Sequence, residues 1–277
     1  MTTAAASRAE RAAVRGRAGS QRSLEVLPQR RGRAKARVRG YLVDGLIGRF
    51  QQPLRQREPL SAPALAGIAY SVAWIASHLT GGRNPSISAP GTQLVASFAG
   101  DGGSMLAMFV LAEGVAAIAL ILVVIFVARA ARQPGTRLAA RRAATAAAGF
   151  GIASAVVSLT ELGLGIWLFG TLLPQRRTAT FGTAFHALNR LDGGKMFVLA
   201  AMAVALSAVA LWAPILPRWL APFGFLLGAA LVVSGLGWLL LAPGLANLVN
   251  VSAPLLLAFV TATGVTLGLR TSGPAPQ

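Results

Sequence analysis

Six long apolar stretches, almost free of charge, constrain this chain more than any other feature. They cover residues 62–79, 105–128, 146–170, 196–213, 222–242 and 246–269. A helix needs roughly 20 apolar residues to cross a bilayer core ~30 Å thick, and each stretch approaches or exceeds that length. Lipid offers backbone N–H and C=O groups no partner, so only helices and closed barrels span it. Barrel strands alternate apolar and polar positions over about 10 residues, and these stretches do not alternate. The expected fold is therefore all-α: a polytopic membrane helix bundle of about six transmembrane helices. Composition agrees. Of 277 residues, 55% are hydrophobic and only 12% charged, against roughly 25% charged in soluble domains. An ordinary soluble enzyme and a disordered chain are both excluded. The absence of cysteine rules out a disulfide scaffold, a thiolate metal site and a cysteine nucleophile.

The formal net charge of +18 is unevenly spread: fourteen of the 26 Lys and Arg residues precede position 61. They are densest at Arg30, Arg31, Arg33, Lys35, Arg37 and Arg39. Too few large apolar residues recur there to bury a core. The expected division is a basic, mostly disordered leader over 1–60, a six-span membrane domain over 61–270, and a polar tail over 271–277. A juxtamembrane cation beside anionic lipid is worth about 1 kcal/mol. This makes Arg30, Arg31, Arg33, Arg37 and Arg39 candidate contacts for anionic lipid. No aromatic residue precedes Tyr41 to stack on a base, so no specific nucleic-acid partner is expected. Three further readings of the leader stay open. It suits a tail that recruits a partner to a scaffold, an Arg-rich, acid-poor transit peptide, or a start codon assigned too early, with residues 1–40 missing from the mature protein.

Orientation follows from Lys and Arg placement. With the N-terminus inside, 21 of these residues fall on inner segments and 5 on outer ones. The expectation is a multi-pass protein of the cell membrane with both termini cytoplasmic.

Two carboxylates interrupt the apolar stretches. Glu113 lies in the second and Glu161 in the third. A charged side chain at mid-bilayer costs about 2.5–3.5 kcal/mol on insertion scales. Ser154, Ser158, Glu161 and Gly165 recur at helical spacing, forming a narrow polar stripe that should face protein. Two readings follow: a proton- or cation-binding site between helices, or a protonated glutamate that only fixes packing. Asn247 and Asn250 open the sixth stretch. Asn250 precedes Pro254 by four residues, so the proline cannot donate to the Asn250 carbonyl. Freed carbonyls and two amides can line a polar cavity, or the proline merely kinks the helix. Gly224 and Gly228 form a GxxxG, which serves close helix packing within the chain or in a homodimer.

Between the third and fourth stretches, Phe181, Phe185, Leu188 and Leu191 fall at helical spacing. The expectation there is a short interfacial amphipathic helix over 171–195, closed by Gly193 and Gly194. His78, His186, Asp101 and Asp192 all belong to the outer side, and a membrane-embedded enzyme would have to use them. No nucleophile motif, phosphate loop or convincing metal-ligand set appears, so neither cofactor nor metal is expected.

Four sequence features occur together: LAEGVAAIAL around Glu113, SLTELGLGIW around Glu161, NRLDGGKMFVLA around Asp192, and LPRWLAPFGFLLGAALVVSGL from Leu216. With them, residues 60–270 resemble a family of uncharacterised bacterial six-helix integral membrane proteins, a domain of unknown function. The resemblance implies a fold and a membrane location and carries no activity. The leading functional expectation is a non-enzymatic integral membrane protein of unknown biochemical role. Its competitors are a small proton-coupled transporter using Glu113 and Glu161, and a membrane-anchored scaffold with an Arg-rich tail.

Overall fold

The computed structural model describes residues 60–81 and 85–271. The expected disorder of the leader and the lipid contacts of Arg30, Arg31, Arg33, Arg37 and Arg39 lie outside the described residues. Within them the chain is helical throughout and has no strand. Helix α1 is Ala62–Thr80, with Pro63 in its first turn, where a missing N–H costs nothing. Two short helices follow, α2 (Gly91–Ser97) and α3 (Gly102–Phe109). Helix α3 passes through a π-helical turn, Val110–Val115, into α4 (Ala116–Ala131). Helix α5 (Leu138–Trp167) ends in a second π turn, Leu168–Leu172. The remaining helices are α6 (Thr178–Trp212), α7 (Leu220–Leu239), the single turn α8 (Pro243–Ala246) and α9 (Val249–Thr271). Six runs among the described residues are long and apolar enough to cross a membrane: Ala62–Thr80, Gly102–Ala131, Leu138–Leu172, Thr178–Trp212, Leu220–Leu239 and Pro243–Arg270. The protein is an all-α integral membrane protein.

The fourth run differs from expectation. No interfacial helix ends at Gly193 and Gly194, because α6 continues through both for 35 residues, about 50 Å at the α-helical rise. The reason lies in packing. A Cβ on Gly193 would meet the Leu239 nitrogen at 2.7 Å and the Gly235 carbonyl oxygen at 2.8 Å. The glycine is there to bring the α6 and α7 backbones together, and that contact outweighs its weak helix propensity. Pro254 likewise sits inside α9 without ending it.

The apolar interior forms two clusters. The larger is built mainly from Ala, Val and Leu of α1, α4, α5, α6, α7 and α9, including Ala147, Val124, Ala203 and Leu227. Here Gly224 faces Ser207 and Phe259, and Gly228 faces Val204 and the Ala200 carbonyl. The GxxxG surface is thus occupied inside the chain. The smaller cluster is aromatic. Phe98, Phe169, Phe181 and Phe185 pack with ring centroids 5.2–6.3 Å apart, and Phe109 joins through Phe169 at 5.7 Å. Phe98 lies between α2 and α3, so this cluster ties the 85–101 connection to α5 and α6.

Candidate functional site

On three neighbouring helices the apolar packing changes from one cluster to the other at a charged residue. Along the second run, Phe109 belongs to the aromatic cluster and Ala116 to the small-residue cluster, with Glu113 between them. Along the third run, Ala147 and Leu168 stand on either side of Glu161. Along α6, Leu188 and Met196 stand on either side of Asp192 and Lys195. The four charged groups meet at this seam. Lys195 Nζ donates to Glu113 Oε2 at 2.9 Å and to Glu161 Oε2 at 2.5 Å, and lies 2.7 Å from Asp192 Oδ1. An ammonium has three N–H donors, and three carboxylates surround this one. Lys195 is 6% exposed and Glu161 1% exposed, so neither charge is solvated by bulk water.

Local structure sets the cluster's shape. Asp192 and Lys195 are three residues apart on α6, which puts both on one helix face. Glu113 lies within the π turn. Such turns take one more residue than an α turn and concentrate at functional sites. The expected stripe on α5 is buried in full: Ser154, Ser158, Glu161 and Gly165 all face protein. Ser158, three residues before Glu161, is buried on the same face of α5. Ser154 lies two turns from Glu161 and takes no part in the cluster or in the wall of the adjoining cavity. Tyr70 of α1 is buried within electrostatic reach of Lys195, Glu113 and Asp192.

That cavity, of about 390 Å³, reaches the cluster, and Glu113, Glu161 and Asp192 form part of its wall. Asn247 and Asn250 line it from the loop and first turn preceding Pro254, and both are exposed. Four of the candidate residues expected from sequence, Glu113, Glu161, Asn247 and Asn250, therefore share one cavity. The rest of the wall is largely apolar, with Phe109, Phe185 and Trp238 among its side chains. Asn189, 2% exposed, also lines it and donates to the Ile87 carbonyl at 3.4 Å.

The outer-face set does not assemble. His78 stacks on Trp74 and its Nδ1 lies 3.1 Å from the Trp74 carbonyl oxygen. His186 Nε2 lies 3.1 Å from the Ala89 carbonyl oxygen, and Asp101 is exposed. Among the described residues, the one group of three or more potential metal-ligating side chains is Glu113, Glu161 and Asp192, with ligand oxygens within 4.8 Å of one another. The cation between them is the protein's own ammonium.

Lys195 is the central residue that sequence reasoning missed. Assigning 171–195 to an outer loop made it one of five outer cations. The Asp192–Lys195 spacing becomes informative only when α6 is read as continuous through Gly193 and Gly194. No family model matches this chain, and no curated protein or solved structure is detectably similar to it.

Proposed function

We propose that the protein is a small proton-coupled transporter of the cell membrane, with both termini cytoplasmic. In this reading Glu113, Glu161 and Asp192 carry the exchanged protons, and Lys195 is their fixed counter-ion. The observation that carries it is three carboxyl groups around one buried ammonium at the wall of a cavity within apolar spans. Ionisable groups at membrane depth are costly and mark ion pathways and proton relays. Here one ammonium balances one carboxylate, and two acids remain whose charge can be cancelled by protons. The cavity gives those acids a route to solvent, and the backbone ahead of Pro254 supplies polar groups along it, as interrupted helices do in transporters.

Orientation rests on the opposite end of the bundle. Arg137, Arg218 and Arg270 gather around a second cavity of about 420 Å³ there, and Arg129, Arg132, Arg141 and Arg142 lie in or beside the same connection. Positive charge favours the cytoplasmic side, so the acidic cavity opens outward. The resemblance to uncharacterised six-helix bacterial membrane proteins fits this fold and adds no activity.

The test uses proteoliposomes loaded with a pH-sensitive dye and offered small organic cations, anions and neutral solutes in turn. The expected result is an internal pH change with at least one class, abolished in the Glu113→Gln/Glu161→Gln double variant that still elutes as a single species. No pH change with any class, or an unchanged response in the double variant, overturns the proposal. A fluorescent protein fused after Gln277 is expected to mature in the cytoplasm, and a dark, exported fusion overturns the orientation.

A further inference from the structure

We infer that the second cavity, at the arginine-rich end of the bundle, binds the phosphate headgroup of an anionic membrane lipid. Arg137, Arg218 and Arg270 hold the phosphate, while Leu211 and Trp212 meet the start of the acyl chains. The site is separate from the acidic cavity and does not rest on the transport reading.

Three distant stretches of chain bring the cations together. Arg137 immediately precedes α5, Arg218 lies in the turn between α6 and α7, and Arg270 lies in the last turn of α9. All three line one space of about 420 Å³. No acid answers them among the described residues. The carboxylates there are Asp101, Glu113, Glu161 and Asp192. Every ion pair among the described residues is made by Lys195, with the last three of these acids. Asp101 precedes the run Gly102–Ala131, whose far end is the one that leads to Arg137. Helix dipoles do not supply the missing charge. Helices α6 and α9 end at this cavity, and α5 and α7 begin beside it. Each terminus carries about half an elementary charge, negative where a helix ends and positive where it starts, so the contributions cancel. The excess of arginine on cytoplasmic segments accounts for which end is basic. It does not require arginines from three stretches to line one hollow, where they repel one another unless an anion enters.

The surroundings specify the anion. A guanidinium matches two oxygens of a phosphate at once, and three guanidiniums suit a headgroup bearing more than one negative charge. Trp212 lines the cavity and Trp219 follows Arg218, and both are exposed. Tryptophan is favoured at the level of lipid headgroups, so the hollow lies at the depth of lipid phosphates. Leu211 in its wall and Leu269 beside Arg270 are exposed too. That apolar border suits acyl chains, and a soluble phosphate would leave it uncovered. Basic pockets between membrane helices hold lipid headgroups in this way.

Native mass spectrometry of the purified full-length protein in detergent counts bound lipid, with cardiolipin, phosphatidylglycerol and phosphatidylcholine offered in turn. Cardiolipin, with two phosphates, is expected to bind at least about tenfold more tightly than zwitterionic phosphatidylcholine, and phosphatidylglycerol between them. Arg137→Gln/Arg218→Gln removes two charge-assisted contacts and is expected to weaken cardiolipin at least about tenfold. Arg132→Gln/Arg142→Gln removes two charges at the same end of the bundle but outside the cavity wall. Its effect should stay within about threefold, as for other screened surface charges. Equal losses in the two variants would mean diffuse attraction and overturn the site. Equal binding of cardiolipin and phosphatidylcholine also overturns it. Inorganic phosphate in large excess is expected to leave cardiolipin bound; complete displacement assigns the hollow to a soluble phosphate and overturns the lipid. Should Arg137→Gln/Arg218→Gln not fold, Arg270→Gln compared with Arg132→Gln decides by the same criterion.

Discussion

The two apolar clusters solve the same packing problem by different means. In the larger one, Ala, Gly and Val bring helix backbones into close contact, as where Gly151 meets Val124 and Gly67 meets Gly264. The helices there are regular and their contacts repeat with helical period. In the smaller one, Phe98, Phe169, Phe181 and Phe185 fill wider gaps among two short helices, a connecting segment and a π turn. Large rings bridge what backbones leave open, and bridging leaves space. The cavity and its acids lie at the seam, walled by Met105, Phe109, Phe185 and Leu188 of the aromatic cluster and by Trp238 and Val249 packed on the other, while the side built on close backbone contact holds the frame.

The largest expected effect comes from removing the cation at the boundary. Lys195→Met keeps the stem's bulk and leaves Glu113, Glu161 and Asp192 facing one another. Breaking a buried ion pair by deleting one partner costs about 3–5 kcal/mol, and here three acids lose the same partner. The thermal unfolding midpoint in detergent should fall further than for any substitution within either apolar cluster. Adding Glu161→Gln to Lys195→Met should recover part of the loss, because the most buried acid is then neutral. Full stability in the single variant would mean that the cluster does not hold these three helical runs together.

How much of this was legible in the sequence follows the same division. The six spans were readable because their apolar residues are continuous and bilayer thickness sets their length. The stripe of Ser154, Ser158, Glu161 and Gly165 was readable because helical period alone fixes which residues share a face. The site needed more. That Glu113 meets Glu161 depends on how two helices pack, which no single period encodes. Lys195 was hidden because Gly193 and Gly194 resemble a helix stop when only local propensity is weighed. The purpose of Gly193, close approach to Gly235, belongs to a contact more than 40 residues away in sequence. The π turns left no pattern at all, since the apolar run through Val110 and Val115 looks the same with either hydrogen-bond register.

Gly193→Val comes next in size. The added methyl groups would meet backbone atoms of Gly235 and Leu239, which cannot rotate aside as a side chain can. Overpacking typically costs about 1–3 kcal/mol, and this contact should lie at the upper end. Because α6 and α7 are framework, hydrogen exchange should rise along both helices. Protection lost only around residue 193 would show that the frame yields locally. Phe98→Leu should act locally: it removes three ring pairs, each worth roughly 0.5–1.5 kcal/mol beyond burial, while leucine keeps most of the apolar contact. Its hydrogen-exchange increase should stay within 85–101 and 168–185. Spread of that increase into α7 and α9 would erase the distinction between the two layers.

The smallest effect belongs to the frame's polar contacts, where α1 and α9 cross at Gly67 and Gly264. The Ser71 and Thr261 hydroxyls lie 2.7 Å apart, with the Gly67 carbonyl oxygen 3.0 Å from Thr261 Oγ1 and the Leu257 carbonyl oxygen 3.1 Å from Ser71 Oγ, so two protons serve three contacts. Both hydroxyls also have backbone acceptors, so removing one leaves the other satisfied. Interhelical hydrogen bonds in membranes average about 0.6 kcal/mol and rarely exceed about 1.7 kcal/mol. A double-mutant cycle of Ser71→Ala and Thr261→Val should give a coupling near the lower figure, read from unfolding midpoints in detergent. The close approach that permits these bonds is carried by glycine, so Gly67→Val should destabilise the crossing more than both hydroxyl deletions together. If instead the hydroxyl pair couples by several kcal/mol and Gly67→Val is tolerated, the frame is held by polar bonds rather than by backbone contact. The contrast between the two layers would then have the wrong physical cause.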